Sequence, residues 1–344
     1  MYDTFEPPAF LADPSDALAL LSWCPAYEPT PVRNFPALAA SLGWSDLQAK
    51  DETRRMGLGS FKALGGVYAV ADLVRSITAR DGAALTDETT SDTSTKITVC
   101  CASAGNHGLS IAAGARIFGA QATVVLADTV PDSFADRLRD KGATVVRHGA
   151  VYEDAMAHAI TLSQQEGWYL AADSSWPGYT AFPARVMQGY GVMAQEMADN
   201  FRKLGGWPTH VALQAGVGGL AAGVAGAIRR LWDVQPEIIV VEPDRAACLK
   251  ASIRASKLTR ADGPVSNMGR LDCKEPSLLA FHVLREIANH FVEVSDAEAK
   301  AATALLAEHG ITSTPSGAAG HAGMIAMKMP ADARPLIIVS EALA

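Results

Sequence analysis

At 344 residues, 49% of them hydrophobic, the chain has enough apolar material for one large or two moderate α/β domains. A formal net charge of −8 with no basic stripe excludes a phosphate-backbone partner, so no nucleic-acid binding is expected. No uncharged apolar run approaches the roughly 18 residues of a membrane span, and the acidic start Met1-Tyr2-Asp3-Thr4-Phe5-Glu6 lacks a basic region followed by an apolar one; no membrane partner and a cytoplasmic location are expected.

Residues 1 to 30 have weak periodicity and are expected to wrap across the surface or cover an oligomer interface. A short helix ending at Gly43 follows Phe35-Pro36, and a strand is expected from Trp44 to Lys50. The charges of Asp51-Glu52-Thr53-Arg54 read mostly as a solvated turn. From Ser60 to about Arg75 the apolar positions Leu64, Val67, Tyr68, Val70, Ala71, Leu73 and Val74 have helical spacing. Residues 82–95 are rich in Thr, Ser and Asp and read as an exposed loop.

Strands are then expected at 97–102, Ala122–Ala127, Thr144–His148 and Trp168–Ala172, alternating with helices through Ala120, over Asp132–Lys141 and over Glu153–Glu166. A long helix from about Ala181 to Leu204 leads to strand Val211–Gln214, a helix to Leu231 and the β-branched strand Glu237–Val241. An irregular stretch around Pro264 to Pro276 precedes a helix near Leu278–Ala288, a strand at 291–294, a helix from Ser295 to His309 and a last strand Pro335–Ser340. This alternation implies parallel βαβ units and an α/β fold.

The five cysteines, Cys24, Cys100, Cys101, Cys248 and Cys273, have no metal-ligand spacing, and the histidines form no cluster. Free thiols and no metal site are expected.

Three glycine-marked stretches carry candidate chemistry. Gly57-Leu58-Gly59-Ser60-Phe61-Lys62-Ala63-Leu64-Gly65-Gly66 holds one lysine among apolar neighbours. Packed out of water, its ammonium loses hydration and its pKa falls, which suits an amine that carries a carbonyl cofactor; taken locally it also reads as a surface lysine at a helix start. Ser103-Ala104-Gly105-Asn106-His107-Gly108 follows a strand and opens a helix, where free N–H groups suit a carboxylate or Ser103 serves as a cap. Gly216-Val217-Gly218-Gly219-Leu220 joins a strand to a helix, the place for a phosphate, although such turns also serve tight packing.

Together with Pro315-Ser316-Gly317-Ala318-Ala319, these motifs in this order resemble the tryptophan-synthase-β-like, fold-type II pyridoxal-phosphate enzymes. Within that family the chain looks most like the diaminopropionate ammonia-lyases, through Phe61 to Gly66, Asp173 to Tyr179, Met187-Gln188-Gly189-Tyr190, Gln214 to Gly218 and Val241-Glu242-Pro243-Asp244; the likeness spans about 25–320. It implies two domains with parallel-rich open sheets flanked by helices and pyridoxal phosphate in the cleft between them. Residues 1–95 plus 190–344 would form the large cofactor-binding domain, and 96–189 a small domain inserted in it. A homodimer is expected.

The resemblance also implies roles. Lys62 would hold the cofactor as a Schiff base and, once displaced, remove the substrate's α-proton. Phe61 would flank it, Asn106 would bond the cofactor's 3-hydroxyl, Gly216, Val217, Gly218, Gly219 and Leu220 would cradle the phosphate, and Ser316 would face the pyridine nitrogen. Ser103, Ala104, Gly105 and His107 would receive the substrate carboxylate, and Asp173 a polar or ammonium β-group. Diaminopropionate ammonia-lyases carry an aspartate where this chain has Ala104, which implies one-base chemistry on an L-substrate. The function implied is β-elimination of a β-substituted L-amino acid to a 2-oxo acid and ammonia. A β-replacement enzyme of the cysteine synthase type, or a non-catalytic homologue that binds the cofactor or an amino acid, is the alternative.

Overall fold

The computed structural model describes residues 12–80 and 96–343; the expected exposed loop at 82–95 and the first part of the expected N-terminal wrap lie outside the described residues. In chain order the strands are β1 (Val32–Asn34), β2 (Gln48–Asp51), β3 (Thr98–Cys101), β4 (Gln121–Leu126), β5 (Thr144–Arg147), β6 (Tyr169–Leu170), β7 (His210–Gln214), β8 (Glu237–Pro243), β9 (His290–Val294) and β10 (Pro335–Val339). They form two sheets, of order β1-β2-β10-β7-β8-β9 and β5-β4-β3-β6. The smaller sheet is parallel throughout. The larger is parallel except for its three-residue edge strand β1, which runs antiparallel to β2.

Composition explains the layering. β3 and β10 are buried at every position, and β7 and β8 at every position but the first. Such continuous apolar runs need cover on both faces, which helices between parallel strands provide. The helix Lys62–Arg80 turns Leu64, Val67, Tyr68, Val70 and Val74 into the core. Burying each of the larger aliphatic side chains contributes about 1.5–3 kcal/mol. This helix also joins the two sheets' layers, because it packs against the helix Asn106–Ile117 through glycine contacts: a Cβ on Gly66 would fall 1.9 Å from the Ser110 hydroxyl oxygen.

The differences from expectation have local causes. The single helix expected over 181–204 is two, Ala181–Tyr190 and Val192–Leu204. At the break the Gly191 N–H bonds the Gln188 carbonyl at 3.0 Å, a tightened turn of i to i+3 type. Pro315-Ser316-Gly317 opens a helix, Pro315–Ala326, capped by the Thr314 hydroxyl, which accepts the Gly317 N–H at 3.0 Å. A helix Ser15–Leu21 lies in the stretch expected to wrap, and another, Cys248–Ala255, precedes the irregular segment.

In the charged turn before the lysine Arg54 is exposed, as expected, but Glu52 is a correction. Glu52 and the neighbouring Arg55 have no exposure at all, and with Lys50 and Glu196 they form a buried network. Arg55 donates to Glu52 at 2.7 Å and to both Glu196 oxygens at 2.7 and 2.8 Å, while Lys50 reaches Glu196 at 2.5 Å. Two cations balance two carboxylates, which is what permits burial. Glu196 comes from a helix about 140 residues later, so no local pattern announces it.

Candidate active site

A cavity of ≈ 730 Å³ opens where the carboxyl ends of β7 and β10 face those of β3 and β6. Parallel strands release their loops at this end, and clefts there collect ligands. Phe61, Lys62, Ser103, Ala104, Gly105, Asn106, His107, Asp173, Gly216, Val217, Gly218, Gly219, Leu220 and Ser316 all line it. The motifs met separately along the chain therefore share one space.

Lys62 is the first residue of its helix, and the loop before it is tied to the chain end after β10: the Phe61 N–H donates to the Ser340 carbonyl at 3.0 Å and the Ala342 N–H to the Gly59 carbonyl at 2.9 Å. Its ammonium is paired with the Asp173 carboxylate, each side chain 24% exposed. The ring centroids of Phe61 and Tyr190 lie 5.4 and 5.8 Å from Nζ. Burial alone would pull the lysine's pKa down, as the sequence led us to expect, but the adjacent Asp173 more than reverses this and holds it above its ordinary value. Conversely, burial would raise Asp173, while Lys62 and His107 hold its carboxyl well below the usual range. Each partner thus favours the charged form of the other.

His107 is buried, with Nε2 2.6 Å from the Ala171 carbonyl. A carbonyl only accepts, so Nε2 carries the proton and Nδ1 is a bare acceptor with no partner among the described residues. The buried Tyr190 hydroxyl is also without a partner there.

The turn after β7 is shaped for an anion. Gly218 has φ +98, and a Cβ on it would fall 2.8 Å from both Ala280 and Leu249, so only glycine is tolerated. A Cβ on Gly219 meets nothing closer than 3.8 Å, which leaves space over the positive end of the helix Gly219–Leu231.

Beside that turn, where a Cβ on Gly216 would fall 3.2 Å from the Arg270 carbonyl, four segments meet. Asn106 Nδ2 donates to Glu341 at 2.6 Å, and the Thr314 hydroxyl donates to the same carboxylate at 2.5 Å. Ser316 Oγ accepts the Arg270 N–H at 3.1 Å, which leaves the serine's own O–H free to donate. Glu341, 5% exposed, and Arg270 were not anticipated. Glu341 follows the last strand with no motif around it, and Arg270 lies in a segment without periodicity.

An amine, a turn of bare N–H groups, an amide and a free hydroxyl donor around one space fit an aromatic aldehyde that bears a phosphate and a ring nitrogen. Among the described residues no group of three or more His, Cys, Asp or Glu side chains is placed to hold a metal ion. The five cysteines are free, four of them buried, and burial pushes the Cys273 thiol up to about 11. No helix among the described residues is long and apolar enough to cross a membrane.

Comparison with known proteins gives the context. The family described as pyridoxal-phosphate dependent enzyme matches residues 24–341. The diaminopropionate ammonia-lyase of Escherichia coli (strain K12) is 34% identical over 276 residues, 79% of this chain and 69% of that protein. The biosynthetic L-threonine dehydratase of the same strain is 31% identical over 304 residues, covering 87% of this chain and 53% of its own. A crystal structure of the E. coli diaminopropionate ammonia lyase, in complex with an aminoacrylate-PLP azomethine reaction intermediate, superposes with a TM-score of 0.85 at 30% identity, covering 99% of this chain and 91% of that one.

Proposed function

Since the chain belongs to the family of pyridoxal-phosphate-dependent enzymes, we propose that it is a lyase that eliminates the β-substituent of an L-amino acid, yielding a 2-oxo acid and ammonia. The observation that carries this reading is the pairing of Lys62 with Asp173 across a cavity that also holds the Gly216–Leu220 turn. Bound there, pyridoxal phosphate supplies an electron sink for the charge left when the α-proton departs.

The chain's own residues do the rest. Lys62 would hold the cofactor's aldehyde carbon, and its Nζ would take the substrate's α-proton. The N–H groups of Gly216 to Leu220 hold the phosphate, with Phe61 packed beside the lysine. Asn106, its amide fixed by Glu341, would offer its remaining N–H to the cofactor's 3-oxygen. Ser316 would donate its O–H to the ring nitrogen, and a hydroxyl there would not enforce a protonated ring, which favours quick loss of a β-group over transamination. When Lys62 is engaged, Asp173 loses its cation and is left facing the β-position, where an ammonium or other polar leaving group replaces it. The loop Ser103 to His107 receives the α-carboxylate. Ala104 offers no second base, so the D-isomer goes unused.

This reading takes residues 96–189 as the small inserted domain and 1–95 with 190–344 as the large one. It also places the enzyme in the cytoplasm, where buried free thiols persist, as a homodimer. The test is oxo-acid release by the cofactor-loaded protein from L- and D-2,3-diaminopropionate, serine, threonine and 3-hydroxyaspartate. We expect turnover of one or more L-forms and none of the D-forms. If no oxo acid is released from any of them, or a product forms only with added thiol, the assignment to β-elimination is wrong.

A further inference from the structure

The cavity's cations are not equivalent. Lys62 is paired with Asp173, Lys274 donates to Asp272 at 2.5 Å and to the Arg245 carbonyl at 2.8 Å, and Arg260 donates to Glu275 at 2.9 Å. Arg270 differs: among the described residues no acceptor lies within hydrogen-bond distance of its guanidinium, and its ionic neighbour, Glu341, is 3.6 Å from Nε. Its place is nonetheless fixed. The backbone N–H of Arg270 is held by Ser316, and a Cβ on Gly105 would lie 3.2 Å from Nη1 and 3.7 Å from Cζ. The planar fork thus lies against the bare Cα of Gly105, at the start of the helix Asn106–Ile117.

We infer that Arg270 is the substrate's carboxylate anchor, completing from the larger sheet's side a clamp whose other half is the Ser103–His107 loop. The inference rests on the proposed lyase reading and names the group that site recognises. A guanidinium offers two parallel N–H groups to a carboxylate, and the helix start beside it adds N–H donors of the same sign. The two halves come from segments more than 160 residues apart, carried by different sheets, so a bound carboxylate bridges the cleft. Discrimination follows: an amine without a carboxylate would reach Lys62 but leave the fork unfilled.

The test compares Arg270→Gln and Arg270→Lys with the parent holoenzyme. Binding without turnover is read from the visible absorbance change on titration with L-alanine, which has no β-leaving group. We expect half-saturation by L-alanine, and KM for L-serine and L-2,3-diaminopropionate, to rise roughly 10- to 100-fold in Arg270→Gln with kcat within about threefold, since a charge-assisted pair is lost but the reacting atoms are untouched. Arg270→Lys should fall between, a point charge replacing a fork. The side chain is 42% exposed, so folding should survive; an unchanged cofactor absorbance checks this.

Unmoved half-saturation overturns the inference. So does a loss restricted to 3-hydroxyaspartate, which would assign Arg270 to a second carboxylate, or loss of the cofactor absorbance itself. If the parent binds L-alanine through Arg270 yet releases no oxo acid from any substrate, the lyase reading fails and the anchor stands; turnover unaffected by Arg270→Gln gives the opposite result.

Discussion

Glu242 has no exposed surface, and its two oxygens accept the N–H groups of Leu249 and Lys250 at 2.8 Å each. Burial nevertheless dominates and pushes its carboxyl up to about 7, against an ordinary 4.5. The raised pKa means that the folded chain keeps a proton which the unfolded chain releases. Its stabilising contribution is complete below pH 4.5 and is lost as pH rises towards 7, with nothing further lost above. Glu242→Gln removes this dependence at the cost of one backbone bond. Between pH 5 and 8 the parent's unfolding free energy from urea titration should therefore fall relative to that of the variant, by an amount on the order of 2–3 kcal/mol. Parallel pH profiles would refute a buried, protonated Glu242. The residue scale also corrects the lysine. Its apolar neighbours Phe61 and Ala63 were legible and suggested a depressed pKa, but Asp173, 111 residues on, sets the opposite sign.

At the scale of elements, two helices cross so closely that side chains would part them. A Cβ on Gly65 would fall 2.4 Å from Tyr190 Cε1 and 2.7 Å from the Val186 carbonyl, and one on Gly189 2.7 Å from the Leu64 carbonyl. This contact seats the Tyr190 ring 4.8 Å from that of Phe61, beside Lys62. In an open helix Gly→Ala would gain up to about 1 kcal/mol, whereas overpacking costs about 1–3 kcal/mol. Because one of the colliding atoms is backbone, the second effect should win: Gly65→Ala is expected to lower the thermal midpoint and to reduce oxo-acid release by displacing Tyr190. A variant as stable as the parent or more so would show that the helices can move apart. Gly65-Gly66 is visible in the sequence as part of the lysine motif, but a helical glycine looks the same whether it faces solvent or another helix. The break after Tyr190 escaped for a related reason, since residues 181–204 keep an apolar face on both sides of Gly191.

For the whole molecule, the buried network of Lys50, Glu52, Arg55 and Glu196 ties β2 and the turn behind it to the helix Val192–Leu204. Tyr27 adds a bond to Glu196 at 2.9 Å, and Thr30 one to Glu52 at 2.5 Å. Removing one member strands the others: Glu196→Ala should cost about 3–5 kcal/mol, because Lys50 and Arg55 would keep their charges without enough counter-charge. Urea unfolding at pH 7 with an unchanged slope measures it, and a loss under about 1 kcal/mol would mean that water reaches the cluster. The alternation of strands and helices and the glycine turns that end β7 and precede the helix Asn106–Ile117 were readable from the chain, because periodicity and turn chemistry act over a few residues; the class of cofactor came from the resemblance of four motifs in their order. Which charges are paired was not. Asn106 meets Glu341 across 235 residues, and Arg270 reaches Gly105 from the other sheet's side, contacts that exist only once parallel strands bring their carboxyl ends to one cleft. Coulomb and hydrogen-bond energies depend on distance in space, and no local pattern encodes that distance.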